Sequence, residues 1–186
     1  KDGISESSGT YDTTEWLLRN IPGHNGKAGI TGISYPGFYP AAALPEHHPA
    51  LVASSPQAPI ADFFFDDFHH QGAYTLMYWT ATPTFGYQHD GPTTNNWGKQ
   101  INPRPSGNAY DYFLKLGSLK NSSKYFGDDC FFWKELASHP NYDEFWQKQT
   151  IVPHLTSCTV PTLNVAGWWD QEDFFGPLAI YAALER

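Results

Sequence analysis

The sequence predicts an α/β fold with a partial parallel sheet and an inserted helical cap. Three observations carry this prediction. Helix, strand, helix and strand alternate between Tyr11 and Ser55. The alternation then stops from Asp62 to about Leu155, where Phe, Trp and Tyr crowd among Pro, Gly and Asn. Strand and helix return over 161–167 and 174–186. Helices and strands alternating over short connections build a parallel layer, and a break in mid-course marks an insertion. The expected organisation is a core over 1–61, a helical cap over 62–155 and a return to the core over 156–186.

Residues 1–10 are polar and read as loop. Residues 11–20 read as an amphipathic helix, with Trp16 and Leu17 on one face and Asp12 or Thr13 as its N-cap. Ile21-Pro22-Gly23-His24-Asn25-Gly26 is a turn cluster that ends it. The apolar, β-branched run 27–33 reads as a strand and 35–44 as a helix. Pro36 is tolerated in its first turn and Pro40 distorts the second. Residues 51–55 form a second short core strand. Within the insertion, helices are expected over 66–79, 109–116, 128–137 and 142–149, with a long loop over 82–105. The segment 161–167 is an apolar strand, and 174–186 reads as the closing helix.

The 186 residues suffice for one domain with a core, and a net charge of -8 argues against nucleic acid as a partner. No apolar run is long enough to cross a bilayer. Cys130 and Cys158 lie in separate segments and read as thiols rather than a pair. The aromatic share, 17%, exceeds what a surface tolerates, so the insertion either lines an apolar pocket or fills a core of its own.

The chemistry starts at Gly32-Ile33-Ser34-Tyr35-Pro36-Gly37, where a serine stands between strand and helix. That order is the geometry of a nucleophile elbow, in which small residues let the chain turn sharply and push the hydroxyl outward. Pro36 stands where the strict G-x-S-x-G pattern has glycine, and Gly37 follows. A serine hydroxyl needs a histidine to take its proton and a carboxylate to orient that histidine. Asp170 follows the 161–167 strand directly, at the strand end where such groups sit. Glu172 and Asp173 add two acids at the same rim, where they would attract a substrate ammonium. Asp66-Asp67-Phe68-His69-His70 is a second acidic group. Adjacent histidines seldom converge on one ion, so neither this segment nor His47-His48 predicts a metal, and no cofactor is expected.

Together, the Gly32–Gly37 stretch, Pro56-Gln57-Ala58-Pro59-Ile60-Ala61-Asp62, Asp66-Asp67-Phe68-His69-His70 and Gly167-Trp168-Trp169-Asp170-Gln171-Glu172-Asp173 resemble the CocE/NonD hydrolases. That α/β-hydrolase group includes cocaine esterase, X-prolyl dipeptidyl peptidases of the S15 class, glutaryl-cephalosporin acylases and α-amino acid ester hydrolases. The resemblance implies an α/β-hydrolase fold with a cap between the nucleophile and acid segments. By position it implies Ser34 as nucleophile, Asp170 as triad acid and the Tyr35 backbone N–H as an oxyanion donor. It implies Asp67, Glu172 and Asp173 as a carboxylate cluster for a free α-ammonium. All three positions are acidic, which favours the α-amino acid ester hydrolase branch.

No histidine follows Asp170, and the last in the sequence is His154. The resemblance places the triad histidine beyond Arg186, the second oxyanion donor before Lys1, and a β-sandwich domain outside these residues. The expectation is therefore an internal piece of a longer enzyme, silent and marginally stable by itself. Its expected partners are a small-molecule ester, amide or peptide substrate and the remainder of the parent chain. A homo-oligomer stays open, and the family implies a periplasmic or secreted setting. An X-prolyl dipeptidyl peptidase or a glutaryl acylase is the rival enzyme, and a non-catalytic binding module the rival of another class. A glutaryl side chain is anionic and would be repelled by the three acids.

Overall fold

A computed structural model describes residues 5–87 and 107–186. In chain order its elements include α1 (Glu6–Asn20), β1 (Ala28–Ile33), α2 (Tyr35–Ala42), β2 (Leu51–Gln57), α3 (Tyr78–Gly86) and α4 (Ala109–Leu116). α5 (Ser123–Phe126), α6 (Phe131–Ser138), α7 (Glu144–Gln147) and α8 (Phe175–Leu184) follow. The chain divides into two compact units, residues 1–70 with 144–186, and residues 71–143. Among the described residues no helix is long and apolar enough to cross a membrane.

The first unit holds the parallel sheet that the alternation predicts. β1 pairs in parallel with β2, from Gly29 opposite Ala53 to Ile33 opposite Gln57. Residues 161–165 run parallel along the other edge of β2, where Leu163 N donates to Ser54 O and Val165 N to Pro56 O, both at 2.9 Å. β2 is therefore central, and α2 packs against both β1 and β2. Phe38, Ala41, Ala42 and Leu44 meet Ile60, Ala61, Ile151, Leu155 and the α8 residues Ile180 and Ala183 in one apolar core. The small alanines let α2 lie close to the sheet, as a tightly packed interior requires.

Two helices differ from expectation. The helix expected from residue 11 begins at Glu6, because Ser5 and Ser8 form a reciprocal capping box with both backbone-to-hydroxyl bonds at 3.3 Å. Thr10, Thr13 and Thr14 lie inside it and turn their hydroxyls back onto the carbonyls of Glu6, Gly9 and Thr10. The helix expected over 66–79 does not form as one element. Phe64–Phe68 is a π-helical turn, Gln71 and Gly72 take positive φ (53° and 82°), and α3 starts only at Tyr78. The cause is side-chain competition for the backbone: Asp62 Oδ1 accepts from Phe64 N, and Asp66 takes the N–H groups of Ala61 and Asp62.

The second unit is held by its own aromatic rings, one of the two expectations raised by composition. Trp79, 1% exposed, meets Tyr112, Tyr125 and Phe126 with centroids 5.0–5.6 Å away, and its indole N–H donates to Ser122 Oγ at 2.8 Å. Trp133 packs against Phe126 in a tilted arrangement, centroids 4.7 Å apart, and donates to Ser123 Oγ at 3.0 Å. α4 spans the predicted 109–116, capped by Asn108. α6, and in the first unit α7, are the shorter forms of the helices expected over 128–137 and 142–149. Thr82 to Gly86 are helical rather than loop, and the rest of the 82–105 loop lies outside the described residues, apart from Tyr87. Cys130 and Cys158 are free thiols, and burial pushes both above the usual thiol range.

Candidate active site

Ser34 sits between β1 and α2 with φ 61° and ψ -128°, a conformation that costs a non-glycine residue free energy. Close packing on both sides enforces it. A Cβ on Gly32 would overlap the carbonyl oxygen of Pro36, and one on Gly37 would come within 2.5 Å of Gln57 O. Ser34 N donates to Gln57 O at 3.0 Å, so the end of β2 holds the turn from the other side. The departure from the strict pattern is thereby explained. Pro36 occupies the first helical turn, where its missing N–H is no loss, and the close approach that demands glycine falls on Gly37. Tyr35 is the first residue of α2, and its backbone N–H lies at the positive end of the helix.

The Ser34 hydroxyl donates to Asp173 Oδ2 at 3.2 Å. Asp173 is 2% exposed, and its other oxygen, Oδ1, is buried with no hydrogen-bond partner among the described residues. Asp67, Glu172 and Asp173 each bring a carboxylate oxygen within 4.8 Å of the others. Burial first, then the charges of Asp67, Asp66 and Glu172, push the Asp173 carboxyl up to about 8; the Ser34 hydrogen bond opposes them. Three carboxyl groups this close cannot all be ionised without cost unless a cation compensates them. No other group of three His, Cys, Asp or Glu side chains converges in this way among the described residues; His47-His48 and His69-His70 do not join it.

Asp170 stands beside Glu172 and Asp173 in the sequence but outside their cluster. Asp170 Oδ1 accepts from the backbone N–H groups of Glu172 and Asp173, both at 3.1 Å, and so folds the turn that presents those two acids. Asp67, more than a hundred residues earlier, completes the cluster. Trp168 and Trp169, before that turn, are 89% and 98% exposed.

Asp66 is the residue that sequence reasoning passed over. It is 0% exposed, and its two oxygens accept from Ala61 N (2.8 Å), Asp62 N (3.1 Å) and Gly176 N (2.6 Å). Burial outweighs these three bonds and raises its carboxyl to about 6. The one available signal was an acid set among four phenylalanines, at positions 63–65 and 68, where only a fully satisfied carboxylate survives.

The sequence matches the X-Pro dipeptidyl-peptidase (S15) family over residues 2–186. The chain belongs to the S15 family. Among solved structures, an alpha-amino acid ester hydrolase labelled with selenomethionine is 32% identical with a TM-score of 0.86, and an aminopeptidase from a marine sediment Thaumarchaeota archaeon is 35% identical with a TM-score of 0.83. Each alignment covers 99% of this chain and 30% of the other, so the S15 chain spans about a third of the length of these structures. A CocE/NonD family hydrolase from Staphylococcus aureus matches at 16% identity and a TM-score of 0.45, over 81% of this chain and 21% of its own. No curated protein matches the sequence. The resemblance to S15 proteins stated from four short motifs therefore holds over residues 2–186, and so does the α/β fold class.

Proposed function

We propose that the protein is a serine hydrolase that forms an acyl-enzyme at Ser34 and prefers acyl groups with a free α-amino group. The carrying observation is the 3.2 Å hydrogen bond from Ser34 to Asp173, a member of the carboxylate cluster. A nucleophile and a cation site in direct contact suit a substrate whose ammonium lies close to its reacting carbonyl. In an α-amino acyl group the nitrogen is two bonds from that carbon. In an X-Pro dipeptidyl group it is five bonds away, which suits this spacing less well despite the family's name. The names of the two similar structures, an alpha-amino acid ester hydrolase and an aminopeptidase, agree with a free amino group at the site.

In this reading Ser34 Oγ attacks the carbonyl carbon while the Tyr35 N–H and the α2 dipole stabilise the oxyanion. The serine proton passes to a histidine supplied by the remainder of the protein and oriented by Asp170. Oδ1 of Asp170 is committed to its turn, which leaves Oδ2 for that partner. Asp67, Glu172 and Asp173 hold the ammonium through charge-assisted contacts worth roughly 1.5–3 kcal/mol each. No cofactor enters the reaction.

The test compares kcat/KM of the full-length protein on an α-amino acid ester and on its desamino analogue. The expected ratio is on the order of tenfold or more, the size of one lost charged contact. Equal values would remove the ammonium reading. A fluorophosphonate probe on the same protein should label Ser34; failure to label would leave the binding module as the better reading.

A further inference from the structure

The cluster is assembled from two distant pieces of chain. Asp67 comes from the π-helical turn Phe64–Phe68, and Glu172 and Asp173 from the turn before α8. The like charges of the cluster acids push these two pieces apart. A direct tie between the pieces lies one residue away. Asp66, next to Asp67, accepts from Gly176 N at 2.6 Å, three residues after Asp173. Its other oxygen gathers Ala61 N and Asp62 N, the segment that leads out of β2. The junction leaves no slack: a Cβ on Gly176 would overlap the Pro59 carbonyl oxygen and reach 2.8 Å from both Ala61 N and Asp66 Oδ2. The α8 N-terminus has no capping side chain of its own, so Asp66 supplies from 110 residues away the acceptor that its first turn lacks.

We infer that Asp66 is a positioning residue which sets the spacing between Asp67 and Asp173 and thereby the site's selectivity for a cationic acyl group. It touches neither substrate nor nucleophile. It fixes two segments that carry mutually repelling acids, so its loss lets them separate while the Ser34 elbow, built by β1, α2 and β2, stays in place. The inference rests on the ammonium reading above.

The experiment uses the full-length protein and the same pair of esters, with rates referred to the number of serines labelled by a fluorophosphonate. Labelling counts folded sites, so partial unfolding does not distort the comparison. Asp66→Asn keeps the shape but weakens acceptance from three N–H donors. The expected result is a fall in the α-amino over desamino ratio by about tenfold to a hundredfold, carried by KM of the α-amino ester, with the desamino ester's kcat/KM held within about twofold. A merely structural role would lower both esters together or neither, and either outcome overturns the inference. If Asp66→Asn yields no labelled protein, Asp66→Glu, which keeps the charge on a longer arm, is read in the same way. If neither labels, Asp66 is a folding requirement and the positioning role falls. A wild-type ratio near one would sink the ammonium reading itself, whereas a high wild-type ratio that survives in Asp66→Asn sinks only this inference.

Discussion

Ser34 and Asp173 lie 139 residues apart in the chain, yet the serine hydroxyl donates to the aspartate Oδ2 across 3.2 Å. The bond joins the elbow to the acid cluster, and it makes Asp173 the most informative position to alter.

Asp173→Asn should remove most of the preference for an α-amino ester, by roughly tenfold or more, and spare the desamino ester. In the unaltered protein that preference should depend on pH. Burial and its acidic neighbours hold Asp173 neutral below about 8, and only the ionised form attracts an ammonium. The ratio of kcat/KM for the two esters should therefore climb from pH 6 towards pH 8. It should fall again above the range where a free α-amino group loses its proton, about 7.7–8.0. A flat ratio across that range would contradict the assignment.

Stability should show the same acids with the opposite sense. The folded-state value of Asp173, about 8, lies above its usual 3.8, so between about pH 4 and pH 8 the folded state holds a proton that the unfolded chain has released. Folded stability then falls as pH rises through this window. Asp66, at about 6, adds a smaller loss between about pH 4 and pH 6. Asp173→Asn should raise Tm at pH 8 by about 2–4 °C for each kcal/mol of repulsion relieved, and leave it nearly unchanged at pH 4. Thermal melts at the two pH values measure this.

The elbow gives a contrast between neighbouring positions. Gly32→Ala places a methyl group against the Pro36 carbonyl oxygen and should cost about 1–3 kcal/mol or more, with loss of fluorophosphonate labelling. Pro36→Gly restores the common pattern yet should cost about 1 kcal/mol through a looser unfolded chain, with labelling kept. Denaturant titration beside the labelling assay separates the two effects.

Trp79→Ala should cost about 3–5 kcal/mol, the usual result of deleting a buried indole. Hydrogen exchange should place the resulting loss of protection within residues 71–143.

The elbow was legible because most of its determinants lie within Lys27–Gly37 and obey local rules: β-branched residues into the turn, small residues around it, a helix after it; only the Gln57 carbonyl that holds it lies elsewhere. α4 was legible for the same reason: its span follows from a local run of residues, and the structure adds only the Asn108 cap. Asp67 was reached only through resemblance, since nothing local sets it apart from Asp66. The π-helical turn and the tie from Asp66 to Gly176 were not legible at all. Each depends on which backbone N–H groups a carboxylate finds once the chain has folded, and one of those donors is 110 residues away. The start of α1 was missed for a smaller reason: two serines spaced by three residues cap a helix whose first turns are weak formers.

The packing around Ser34 has a consequence for how such proteins diversify. Gly32, Gly37 and the Gln57 carbonyl fix the serine through backbone contacts alone, within one continuous stretch of chain. The acids beside it come from segments fastened elsewhere. Under the proposed function, the residues at 67, 172 and 173 can therefore be exchanged, and substrate preference with them, while the packing that holds Ser34 stays as it is.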